Sequence, residues 1–125
     1  MKTATEIKRF DHAEWIDKLK SYKNEIASLE GTLSHLVAVS RKPEVLARAE
    51  HFQNQFIVQK SNVNDILHAV KMDQKEAYFE LITKPNSQSR TLAEDRSKDL
   101  AETFEKTMSE LKNEFGAFMT KERPR

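Results

Sequence analysis

The side chains best suited to chemistry in this chain are its four histidines, His12, His35, His51 and His68, and the carboxylates near them. Asp65 stands three residues before His68, a spacing that puts both on one face of a helix. A helical hairpin turning near residues 41 and 42 brings His12 within about one helical turn of the level of His68, and His35 likewise of His51. A second reversal near residue 86 or 87 sets Glu105 level with His68. The spacing thus admits a layer of His12, Asp65, His68 and Glu105, the nitrogen and oxygen donors that suit zinc, iron or manganese. The competing reading makes them amphipathic side chains at the edge of an apolar seam, with their polar ends in water. A carboxylate-bridged di-iron centre fits worse. It needs two Glu-x-x-His elements and two further glutamates, whereas only Asp65-Ile66-Leu67-His68 approximates one element and the third helix holds no histidine.

Other reaction chemistry has no support. There is no cysteine, so a disulfide framework, a zinc ribbon and a thiol nucleophile are all excluded. No Gly-rich phosphate loop, nucleophile elbow or His-Glu-x-x-His motif occurs, and the expectation is a non-enzymatic protein that calls for no cofactor.

The elements that must position these residues are helices. From Trp15 to Leu36 the apolar residues fall at Trp15, Leu19, Tyr22, Ile26, Leu29, Leu33 and Leu36, in alternating steps of four and three that make a heptad seam. The first helix is expected over 11–40, with Asp11 and Glu14 at capping-box spacing and an earlier start open at Thr3 and Glu6. Gly31 lies opposite the seam, where it marks a bend or a simple weak point. Pro43 suits the first turn of a second helix over 43–82. Its apolar stripe is Leu46, Ala49, Phe52, Phe56, Val63, Ile66, Val70 and Ala77, interrupted by Gln59 and Asp73. Pro85 ends that helix in a loop of turn formers, and Thr91 with Glu94 forms a second capping box for a third helix over 89–121. That helix presents Leu92, Leu100, Phe104, Met108, Leu111, Phe115 and Phe118. The fold expected is all-α, a single domain over 1–125 built as an elongated antiparallel three-helix bundle with coiled-coil-like packing. Pairs such as Glu14 with Lys18 and Glu44 with Arg48 give much of the charge a use on solvated helix faces.

The phrases His12-Ala13-Glu14-Trp15, Leu19-Lys20-Ser21-Tyr22-Lys23-Asn24-Glu25-Ile26 and Glu50-His51-Phe52-Gln53-Asn54-Gln55-Phe56-Ile57-Val58-Gln59-Lys60 resemble those of a family of small uncharacterised bacterial all-helical proteins. The resemblance covers the first helix and half of the second. It implies a bacterial helical bundle and carries over no functional residue.

Partners must be read from local surfaces, because 21 basic residues nearly balance 20 acidic ones for a formal net charge of +1. The longest aliphatic run, Leu36 to Val39, is far short of the roughly 20 residues of a membrane span. With no secretory segment in view, the expected location is the cytoplasm. Residues 51–64 hold one charge, Lys60, and six side-chain amides. Phe56, Ile57 and Val58 are consecutive there, so apolar groups point over a wide arc. Either the second helix packs against both neighbours at mid-bundle, or Phe56, Val58, Gln59 and Asn62 mark an interface with another protein or a second copy, a homodimer in the latter case. Nucleic acid is the weaker partner: the first 23 residues hold six bases against four acids, a slight excess of the kind a solvated face carries.

Overall fold

Asp11 starts the first helix. Its backbone is extended, and its side-chain Oδ1 accepts the Glu14 N–H at 3.0 Å, satisfying one of the donors that a helix N-terminus leaves free. The computed structural model describes residues 10–83 and 92–122, and within them the chain forms α1 (His12–Val39), α2 (Pro43–Thr83) and α3 (Leu92–Glu122), with no strand. At ~1.5 Å per residue these 28, 41 and 31 residues make rods of ~42, ~62 and ~47 Å. The bounds of α1 and α2 match the expected ones to a residue. Both the loop around Pro85 and the Thr91 half of the second capping box fall outside the described residues.

α1 ends at Ser40, whose N–H donates to Leu36 O at 2.9 Å. Three residues reverse the chain, Lys42 donates its N–H to Ser40 Oγ at 3.4 Å, and Pro43 opens α2 where a missing N–H costs no helix bond. α1 and α2 are therefore antiparallel. α3 returns alongside, packing its Phe115 and Phe118 on Phe52 of α2, with ring centroids 5.3 and 5.1 Å apart. Among the described residues, no helix is long and apolar enough to cross a membrane.

One seam per helix supplies the core. On α1 the residues Leu19, Ile26 and Leu33, one per heptad, are buried, while Trp15, Tyr22 and Leu29 are half-buried at its edge. Tyr22 faces α3, edge-on to Phe104 at 5.4 Å. On α2 the seam is Val45, Ala49, Phe52, Phe56, Gln59, Val63, Ile66, Val70 and Asp73, buried throughout. Two expected core residues lie outside. Leu46 and Leu100 are exposed, and Val45 and Ala101, one position away in each helix, take the seam instead. A shift of one residue rotates a helical side chain by about 100°, enough to exchange core for solvent.

Four phenylalanines pack together at the end where α1 gives way to α2. Phe52, Phe56, Phe115 and Phe118 form a ring cluster, and the Arg48 guanidinium lies 5.9 Å from the Phe52 centroid and 5.6 Å from that of Phe118. Aromatic pairs of this geometry contribute ~0.5–1.5 kcal/mol each beyond their buried area. Between helices, Lys60 meets Glu30 at 2.9 Å and Lys112 meets Glu25 at 3.1 Å. Exposed pairs of this kind contribute ~0–1 kcal/mol each. They orient the helix edges more than they hold them.

Candidate functional site

The seams turn polar at the far end of the bundle. His12 of α1 points at Asp73 of α2, with its Nε2 2.6 Å from Asp73 Oδ2. Asp73 is buried, at 3 % side-chain exposure, and His12 is half-buried, at 12 %. A carboxylate only accepts, so with Asp73 ionised Nε2 carries the proton. From α3, Glu94 and Ser97 are buried at the same end, and Glu94 Oε1 accepts the Phe10 N–H at 3.4 Å. Aromatic rings shield this layer. Phe10 stands edge-on to His12 at 4.9 Å and stacks on Trp15 at 6.1 Å, while Lys18 Nζ lies 4.5 Å from the Trp15 ring centroid.

Each polar residue sits where the heptad spacing would place an apolar one. On α2 the series Ile66, Val70, Asp73, Ala77 keeps its four-three step through the carboxylate, and on α3 Glu94, Ser97, Ala101, Phe104 does the same. That continuity was the available signal. Reading by hydropathy instead made Asp73 an interruption and started the α3 stripe at Leu92 and Leu100. Mid-bundle, Gln59 is a second polar seam residue, buried and accepting from Asn62 Nδ2 at 3.3 Å.

The proposed metal layer is not assembled. His12 is drawn to Asp73, five residues or ~7.5 Å along α2 from His68. His68 and Asp65 do share a face, but it is the exposed outer face of α2. Glu105 lies in the groove between α3 and α1, where it accepts the Tyr22 hydroxyl proton at 2.9 Å and pairs with Lys18 at 3.2 Å. Among the described residues no three His, Asp or Glu side chains group so as to hold a metal ion. His35 and His51 are both exposed.

Tyr22 is a titratable group strongly altered by its surroundings. Its phenol is pushed up to about 12, first by burial, then by the hydrogen bond to Glu105 and the negative charges of Glu105 and Glu25. A tyrosine so held is a proton keeper, with no nucleophilic use near neutral pH.

The candidate interface residues divide. Phe56 and Gln59 are buried within the bundle, Phe56 with its ring centroid 5.1 Å from that of Phe115 of α3. Val58 and Asn62 are exposed, Val58 beside an exposed Ile57. The larger exposed apolar surface lies elsewhere. α2 continues ten residues past Asp73, the residue that meets the first turn of α1. On this extension Tyr78, Phe79, Leu81 and Ile82 are each between 62 % and 66 % exposed, with Met72 and Leu100 exposed nearby. The α2 stripe expected from the sequence ends at Ala77 and omits these residues, although five apolar side chains in the six positions 77–82 are too many for one face. Ala69, Met72, Phe79 and Leu100 line a groove of about 520 Å³ between α2 and α3, together with the polar Asp73, Lys75, Glu76, Arg96 and Ser97.

No family model, curated protein or solved structure matches this chain.

Proposed function

We propose that this protein is a non-enzymatic interaction module, a helical bundle that docks another macromolecule on the apolar C-terminal turns of α2. The observation that supports the reading is the concentration of Tyr78, Phe79, Leu81 and Ile82 in exposed positions on adjoining turns of a helix that earlier buries Phe52, Phe56, Val63, Ile66 and Val70 and exposes Leu46, Ile57 and Val58 at lower exposures. Apolar residues scattered singly on a surface need no explanation, but a contiguous set marks an interaction site. Aromatic side chains are also enriched at interface cores, and Tyr78 and Phe79 supply two of them. The partner is another protein or a second copy of the chain.

The docking reading is tested by placing a photocrosslinking phenylalanine analogue at position 79, and as a control at position 61, on the exposed outer face of α2. Covalent adducts in living cells from position 79 and not from position 61 are expected. No adduct from position 79 beyond the control would overturn the reading.

A further inference from the structure

The α2 face that borders the groove is complementary to itself when reversed. Ala69, Met72, Lys75, Glu76, Phe79 and Ile82 follow one another in steps of three residues, apart from the adjacent central pair, and so lie along one side of the helix. Around a point between Lys75 and Glu76 the series is symmetric in chemistry: base opposite acid, Met72 opposite Phe79, Ala69 opposite Ile82. All are exposed except Ala69, which is half-buried. A two-fold contact between identical chains requires such a patch, because residue i must meet residue j while j meets i.

Resting on the docking reading above, we infer that the occupant is a second copy of this chain, crossing antiparallel so that the two-fold axis passes between Lys75 and Glu76. Lys75 of each copy then faces Glu76 of the other, and Met72 of each faces Phe79 of the other. The groove beside Met72 and Phe79 is open to take an apolar side chain from the opposite copy, with Leu100 of α3 on its far wall. Charge favours this occupant. A net charge of +1 leaves little long-range repulsion between copies, and the central pair is complementary only when the helices run in opposite directions. Val58 and Ile57 lie more than ten residues away on α2 and take no part.

The symmetry supplies its own test by sedimentation velocity over a concentration series. The native chain is expected to dimerise reversibly. Lys75→Glu sets Glu against Glu, Glu76→Lys sets Lys against Lys, and each alone is expected to weaken self-association at least ~10-fold, because like charges juxtaposed in an interface are strongly disfavoured. The double variant Lys75→Glu with Glu76→Lys restores base opposite acid and is expected to recover the dimer. An equimolar mixture of the two single variants is expected to form a heterodimer more readily than either associates alone. Val58→Asp is expected to leave the dimer intact. Circular dichroism of each exposed-site variant checks that the helices persist. A native chain monomeric throughout the series overturns the inference, as does a dimer insensitive to both charge reversals. Those failures are separable from failure of the docking reading: crosslinks from position 79 to a different protein would sink self-association and leave docking standing, whereas absent crosslinks sink docking itself.

Discussion

His12 Nε2 and Asp73 Oδ2 meet at 2.6 Å across sixty-one positions of sequence, in a layer of the core where the heptad spacing calls for hydrocarbon. The pair ties the first turn of α1 to one level of α2. Apolar seams tolerate sliding by a heptad because one leucine replaces another, but His12 meets one carboxylate on α2, Asp73. We therefore assign the His12–Asp73 contact a register-setting role, in line with the use of buried polar residues to fix one alignment among several.

Removing His12 leaves the Asp73 carboxylate buried and uncompensated, whereas removing Asp73 leaves a half-buried imidazole. His12→Ala is expected to lower stability by ~3 kcal/mol, and Asp73→Ala by less, measured by urea denaturation. The double variant should cost less than the two single losses together. Simple additivity in that cycle would show that the two side chains act independently.

Gln59 carries the opposite expectation. It sits in the seam between Phe56 and Val63 with an exposed Asn62 as hydrogen-bond partner, and water can take over that partner. Gln59→Leu is expected to raise stability by ~1 kcal/mol, since an apolar side chain replaces an amide that must be desolvated. A fall in the denaturation midpoint would mean that the amide holds the core together in a way the Asn62 bond does not describe.

Gly31 and Gly116 are helix-interior residues at which an added Cβ meets nothing within 4 Å, and neither has a positive φ. α1 runs unbroken through Gly31. Each Gly→Ala change should therefore stabilise by ~1 kcal/mol through helix propensity. They lie on different helices and share no partner, so the double variant should gain nearly the sum. No gain at Gly31 would mean that helix propensity does not limit the stability of α1 there.

Tyr22 predicts an alkaline loss of stability. Its folded value of about 12 exceeds the ~10 of an unfolded tyrosine, so the folded chain holds the proton more tightly. That contribution is fully present below pH ~10 and is lost as pH rises towards ~12. Tyr22→Phe should flatten this part of the stability profile in alkaline denaturation series. Glu105→Gln should lower the Tyr22 midpoint in an ultraviolet titration yet leave it above the ordinary value, because burial is the largest cause. A midpoint unmoved by Glu105→Gln would contradict the hydrogen bond.

The helices were legible in the chain because what makes them is local. The Asp11 cap, Pro43 in a first turn and the four-three stripe from Trp15 to Leu36 depend on residues a few positions apart, and they place the ends of α1 and α2 to within a residue. The choice between Leu46 and Val45, or Leu100 and Ala101, was not legible, because hydropathy favours the larger side chain whereas the facing helix selects by direction. Nor was the end layer. Whether Asp73 and Glu94 lie inside depends on what stands across from them, and that depends on a register only three packed helices establish. The four histidines show this most plainly. Their spacing allowed His12 to meet His68, but the packed register carries His12 about a turn further to Asp73 and leaves His68 on the outer face of α2. Sequence alone determined three helices and their antiparallel order; tertiary packing decided which polar groups are buried and which apolar ones face outward, because burial is a relation between elements and cannot be read from one of them.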